Sequence, residues 1–202
     1  MSVMLPSCPY PDRCNPTLVD FGGLQGGALG GSYQKLNRMG NRHQLDVTLP
    51  NGQASGATEE QCRVYVSRLK RGLSAGVILA FPQMALIAGI PGAPVVDGGG
   101  QSGSMLRMRG FTPNTYLVEG RFFSMVHAGR RYLHSLDAGG PVANDGTATF
   151  AITPMLRVSP ADGDTLEFSA PMIEGFLQGK GVGWTTDYAF VVGLSFTIVE
   201  AE

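Results

Sequence analysis

Thr58-Glu59-Glu60-Gln61-Cys62-Arg63-Val64-Tyr65-Val66-Ser67-Arg68-Leu69-Lys70-Arg71-Gly72 is the stretch on which the reading of the fold turns. Cys62, Tyr65, Val66, Leu69 and Leu73 recur at the spacing of one apolar helix face. Thr58 suits the N-cap, and Gln61, three residues on, completes a capping box. Glu59 and Glu60 place negative charge at the dipole's positive end, so they need no catalytic reading. Gly72 reads as the residue just past the end. A helix over 59–71 follows, the only convincing one in the chain. Arg63, Arg68, Lys70 and Arg71 read as a solvated face, or as a source of salt bridges to a neighbouring subunit, ahead of a nucleic-acid patch.

Working outward, residues 77–81 (Val-Ile-Leu-Ala-Phe) form a strand stopped by Pro82. Upstream, 33–49 turns strand-like and ends in the alternating Leu45-Asp46-Val47-Thr48-Leu49, with Pro50-Asn51-Gly52 as a turn. The first 31 residues hold four prolines and six glycines between positions 6 and 31, the composition of an extended arm lying on a neighbour. A Gly/Pro-rich passage over 89–103 marks a domain boundary. Short strands are then expected over 105–109, 121–126, 131–136, 147–152 and 165–169, with Asn144-Asp145-Gly146 as a hairpin-type turn. Five such strands suggest a small barrel of the OB type. Over 188–200, Phe190, Val192, Leu194, Phe196 and Ile198 alternate with smaller residues, a long strand that looks like a return to the first domain. The expected division is 1–94 with 171–202 as one discontinuous domain, its arm over 1–31, and 95–170 as an inserted barrel.

Composition narrows the function classes. Gly supplies 29 of 202 residues, about twice the usual ~7%. The charged fraction is 15% against 43% hydrophobic, which excludes a disordered tail. A net charge of −1 gives no basic field to hold nucleic acid. A surface so poor in charge calls for neighbours to cover it, and an assembly component ranks before an enzyme. Residues 73–96 carry no charge until Asp97, yet Gly76, Pro82, Gly89, Pro91 and Pro94 break any lipid-exposed helix, so no membrane insertion is expected. The opening lacks a basic and then apolar leader, so synthesis inside the cell is expected. Cys8, Cys14 and Cys62 show no paired motif and read as free thiols, although Cys8 and Cys14 are close enough in sequence to bridge.

Motifs for chemistry are missing. Gly100-Gln101-Ser102-Gly103-Ser104 is not a nucleophile elbow, and no glycine-rich stretch ends as a phosphate loop or a dinucleotide fingerprint. His43, His127 and His134 lack zinc spacing with the cysteines, although His127 and His134 could meet across a hairpin. Asp162-Gly163-Asp164 fits a turn after Pro160 better than a cation loop. No catalytic, cofactor-binding or metal-binding residue is singled out, and no cofactor is expected. Trp184, flanked by glycines, reads as an interface anchor before a sugar platform.

The order of parts resembles the distal tail proteins of long-tailed siphophages, in the subgroup with an OB-like domain inserted into a tail-tube-like domain. The resemblance covers nearly the whole chain. Its most specific part lies in the insert: Gly98-Gly99-Gly100-Gln101-Ser102-Gly103-Ser104, Leu117-Val118-Glu119-Gly120-Arg121-Phe122-Phe123, Arg131-Tyr132-Leu133, residues 147–157 (Thr-Ala-Thr-Phe-Ala-Ile-Thr-Pro-Met-Leu-Arg) and Pro160-Ala161-Asp162-Gly163. Glu119-Gly120-Arg121-Phe122-Phe123 stands where such proteins carry an Ala-Gly-Asp-x-Phe-like element, a departure in charge. Phe196-Thr197-Ile198-Val199-Glu200 resembles the family's final strand ending in an acidic residue.

The resemblance implies a tail-tube-like β-sandwich with one helix plus the inserted barrel. It implies a structural, non-enzymatic virion protein made in the host cytoplasm. Six copies would close a ring at the tail tip, joining the tube protein to the baseplate hub and fibre proteins, with DNA passing through the lumen. Near-zero net charge suits passage, because a strongly basic lumen would hold DNA. The runner-up is a carbohydrate-binding module using Tyr116, Phe122, Tyr132 or Trp184 on the barrel or beside it. A cell-wall hydrolase ranks last, since no residues offer themselves for it.

Overall fold

The computed structural model describes residues 1–27, 30–50, 56–83, 92–185 and 193–201. In chain order its strands begin β1 (Val3–Met4), β2 (Arg13–Val19), β3 (Gly23–Gln25), β4 (Gln34–Leu36) and β5 (Arg42–Leu49). Helix α1 (Glu59–Ala75) and β6 (Val77–Ala80) follow, then β7 (Gly92–Val96), β8 (Gly103–Phe111), β9 (Tyr116–Leu117) and β10 (Phe122–His127). The rest are β11 (Arg130–Leu136), β12 (Gly140–Pro141), β13 (Ala148–Leu156), β14 (Thr165–Glu167), β15 (Met172–Leu177) and β16 (Leu194–Glu200). Residues 84–91 of the uncharged stretch, Asn51 and Gly52 of the expected turn, and 188–192 of the expected last strand lie outside the described residues. No helix among the described residues is long and apolar enough to cross a membrane.

The chain is mainly β and builds two bodies. One is a six-stranded sheet in the order β1-β6-β15-β16-β5-β2. The other is a closed barrel in the order β10-β11-β13-β8-β7-β14. β6 and β15 are antiparallel neighbours, Met172 opposite Ala80 and Ile173 opposite Leu79, and all six barrel strands fall between them in sequence. The barrel thus occupies the connection of one strand pair.

All five strands expected in the barrel are there, as β8, β10, β11, β13 and β14. The expected count was one short. β7, which contains Pro94 in a passage that reads as linker, pairs with β8 on one side and β14 on the other and closes the ring. A linker composition hid it, since Pro is tolerated where a strand meets an irregular seam. Leu106, Met108, Phe123, Met125, Ile152 and Leu166 fill the interior, each at most 2% exposed.

Helix α1 carries the expected capping box: Gln61 N–H donates to Thr58 Oγ1 at 3.3 Å and Thr58 N–H to Gln61 Oε1 at 2.8 Å. It runs a turn further than expected, to Ala75, and Gly76 with φ 82° ends it. Gly72 is an internal, buried residue: a Cβ there would lie 2.2 Å from Val77 Cγ1. Close packing of helix on strand requires that glycine, not helix termination. Leu73, expected on the buried stripe, is exposed, and Gly72 takes its place against the sheet. Tyr65 and Leu69 join Leu45, Val47, Leu49, Val77, Ile173, Phe196 and Ile198 in the core between helix and sheet.

The arm expected over 1–31 is partly sheet. β2 holds Pro16 and pairs residue by residue with β5, from Arg13 opposite Thr48 to Val19 opposite Arg42. Pro16 is admitted because β2 is an edge strand, with no second ladder among the described residues.

Barrel and sheet meet over a buried seam. Leu133 of β11 belongs to the sheet's core rather than the barrel's, and Phe122 of β10 packs on that core too. The Phe122 ring lies 4.6 Å from Phe81 and 5.6 Å from His43, centroid to centroid. Glu200, the last residue of β16, is 1% exposed and accepts from His43 N–H at 3.0 Å and Leu133 N–H at 2.7 Å. Arg157, just beyond β13, closes an ion pair with the same carboxylate. Nearby, Glu174 of β15 accepts from Ser2 Oγ at 2.6 Å and from Arg131 N–H at 3.0 Å.

Candidate functional site

β2 ends the sheet. Its seven residues carry no fully buried side chain, in contrast to β5 beside it, where His43, Leu45, Val47 and Leu49 are buried alternately. Its outer edge has no strand partner among the described residues. Beyond it the chain rises into the ribbon β3–β4, with Gly23 opposite Leu36 and Gln25 opposite Gln34. A two-stranded ribbon is marginal by itself in water.

The root of this arm is fixed by short-range polar contacts. Asn41 Oδ1 accepts from Phe21 N–H at 2.8 Å, and Arg42 lies 4.8 Å over the Phe21 ring. Asp20 pairs with Lys35 across the ribbon at 3.1 Å and accepts from Gly22 N–H at 2.8 Å. Those contacts hold the Asp20 carboxyl below the usual carboxylate range, the Gly22 N–H contributing most.

Large apolar side chains stand exposed along the arm, among exposed polar ones such as Gln34 and Lys35. Tyr10, Leu18, Phe21, Leu24, Tyr33, Leu36 and Met39 are seven of the sixteen large exposed hydrophobics among the described residues. Leu24 is 74% and Tyr33 79% exposed. An edge without a strand partner among the described residues and six exposed apolar side chains, from Leu18 to Met39, therefore lie on β2 and the segment that follows it. Patches of that kind mark association surfaces.

The other candidates fall elsewhere. His127 and His134 do lie on paired strands, but the register sets His127 opposite Arg130 and His134 opposite Phe123. His127 Nδ1 instead meets Asp164 at 2.6 Å, and His134 Nδ1 meets the Pro154 carbonyl at 2.8 Å. Asp162 is held by Arg109 and by Gly98 N–H, so both carboxylates of Asp162-Gly163-Asp164 serve the barrel. No group of three or more His, Cys, Asp or Glu side chains among the described residues is placed to hold a metal ion. Cys8, Cys14 and Cys62 are free thiols, and burial pushes those of Cys14 and Cys62 up.

The four aromatics of the carbohydrate reading are not gathered. Tyr132 is buried with Arg157 5.4 Å over its ring, and Phe122 is spent in the seam. Tyr116 is exposed on β9, and Trp184 is half-exposed with Lys70 5.4 Å from its centroid. Arg63, Lys70 and Arg71 line the outer face of α1, while Arg68 donates to the Met4 carbonyl at 3.1 Å. Sequence reasoning found the arm by its Pro and Gly content but missed Arg157 and Glu174 as seam residues. Glu200 was visible only as the acidic end of a strand. No protein-family model matches the chain, and no curated protein matches it.

Proposed function

We propose that this protein is a structural ring component of a siphophage tail tip, of the distal tail type, in which six copies surround a channel for DNA. The observation that carries the reading is the set of exposed apolar side chains on β2 and the segment after it, beside an edge without a strand partner among the described residues, the kind of surface that a second protein chain covers. The order of parts supports it as well: arm, strand, helix, strand, a barrel set into one strand connection, and a returning strand. In this reading the helix-covered sheet is the tail-tube-like element, a β-sandwich in the assembled tail, and the barrel is OB-like. The tube protein lies on one side of the ring and the hub and fibre proteins on the other. The work of such a protein is mechanical, and it carries no active site.

Native mass measurement with negative-stain imaging tests the proposal. A hollow particle of about 128 kDa, six times 21.4 kDa, is expected. A chain that stays monomeric alone and also fails to ring on a preformed tail tube would overturn it.

A further inference from the structure

Four ionisable side chains meet inside the seam, two from each body. His43 (β5) and Glu200 (β16) come from the sheet, and His134 (β11) and Arg157 come from the barrel side. His43 is 5% and His134 0% exposed, and the Arg157 and Glu200 side chains are 6% and 0% exposed. Only one of the four is an acid. Glu200 satisfies Arg157 and two backbone N–H groups, which leaves no carboxylate for either imidazole. Each ring also has an unused nitrogen: His43 Nε2 and His134 Nε2 are buried without a hydrogen-bond partner. His134 Nδ1 faces a carbonyl, so it carries the proton of a neutral ring whose Nε2 is bare.

Around the cluster the packing is aromatic. His43 lies against Phe81 and Phe122, and His134 stacks on Phe123, which stacks in turn on Phe168. Arg121 sits 5.9 Å over Phe168. Tyr132, under Arg157, is a further titratable neighbour. Any proton added to either imidazole therefore meets Arg157, with a single carboxylate already engaged.

We propose that the His43–His134–Arg157–Glu200 cluster is an acid-operated latch: protonation of the two imidazoles releases the barrel from the sheet while the barrel keeps its own core. The barrel's core takes no residue from the sheet, whereas the sheet's core takes Leu133, with Phe122 packed on it, so opening the seam withdraws those two side chains and leaves the rest of each core in place. Burial, with Arg157 adding to it, pushes His43 down to about 4, and burial pushes His134 down to about 3. Both lie below the ordinary imidazole range. As pH falls from ~6.5 the opened form takes up protons that the closed form refuses, and this continues down to about 4 for His43. Each histidine thus shifts the balance toward opening by up to about tenfold per pH unit in that window. Glu200 works the other way: burial pushes its carboxyl up against the pull of Arg157 and the two N–H groups, so it favours the closed form as it protonates. Two bases are thus set against one acid.

The test is acid titration of the full chain by small-angle scattering, far-ultraviolet circular dichroism and amide exchange, against His43→Gln with His134→Asn. Asn keeps a donor toward the Pro154 carbonyl. In the parent, the His43 and Leu133 amides should lose protection and the radius of gyration should rise below about pH 5, with strand dichroism retained. The double variant should keep the seam closed at the same pH, and His127→Gln, outside the cluster, should behave as the parent. Opening of the double variant at the parent's pH, or loss of strand signal together with the seam, would overturn the latch. Should the double variant not fold, ring-proton titration of the parent decides: a closed form whose two buried histidines titrate in the ordinary range refutes the proposal.

Discussion

The barrel and the far end of the sheet treat the same problem, unpaired strand edges, in opposite ways. In the barrel every one of six strands has two neighbours, and even the weakest seam is closed, by Thr165 opposite Val95 and Val96 N–H on the Asp164 carbonyl at 2.9 Å. Several of its charged groups are paired within itself, Arg109 with Asp97 and Asp162 and Arg131 with Glu167, and His127 meets Asp164. The sheet ends instead on β2, whose outer edge has no strand partner among the described residues, whose side chains are largely exposed, and beyond which Leu24 and Leu36 stand exposed on the ribbon. Among the described residues one body pairs all its strand edges and the other does not. Association is therefore to be sought at the arm, and the seam is what joins the two bodies.

The largest effect is expected at the seam. Arg157→Met leaves the Glu200 carboxylate buried without its cation, a loss of about 3–5 kcal/mol in urea unfolding. Adding Glu200→Gln to it should return part of that loss, since a buried charge no longer stands alone. Equal losses for the single and double variants would show that packing, not charge, joins barrel to sheet.

Next comes the contact of helix on sheet. Gly72→Ala offers about 1 kcal/mol of helix propensity but drives a methyl group to 2.2 Å from Val77, which is fully buried. Overpacking of that kind costs about 1–3 kcal/mol, so net destabilisation is expected in the same assay. A stabilised variant would mean that α1 is free to lift from the sheet. Thr58→Ala should cost about 1 kcal/mol through loss of the N-cap, with no effect on the barrel.

How far the fold was legible follows from these same positions. β16 could be read because Leu194, Phe196 and Ile198 alternate inward, and α1 because its cap and stripe agree. β15 could not. It lies inside the sheet yet holds Glu174 and Gly175, which argue against a buried strand. Tertiary contacts explain both: Glu174 is satisfied by Ser2 and Arg131, and a Cβ on Gly175 would fall 2.0 Å from the Val199 carbonyl oxygen. The seam was illegible for the same reason. Arg157 and Glu200 stand 43 positions apart, and no local pattern ties them. The arm was half legible: its Pro and Gly content signals irregular backbone, which conceals that Arg13–Val19 pairs along the whole of its length.

The smallest effect on stability is expected where the largest effect on assembly lies. Leu24→Ser with Tyr33→Ser alters two side chains that are mostly in water, so unfolding should shift by no more than about 0.5 kcal/mol. Association should fall sharply. Burying an aromatic ring removes roughly 150–250 Å² from water, and a standard interface needs roughly 800 Å² from each partner. Phe21 and Tyr33, with Leu18, Leu24, Leu36 and Met39, supply a large share of that area from β2 and the segment after it. Sedimentation of parent and variant over a concentration series measures the difference directly. A variant that associates as the parent does, with unchanged stability, would remove the arm from the interface and leave the open β2 edge as the surface to test, by placing Pro at Thr17.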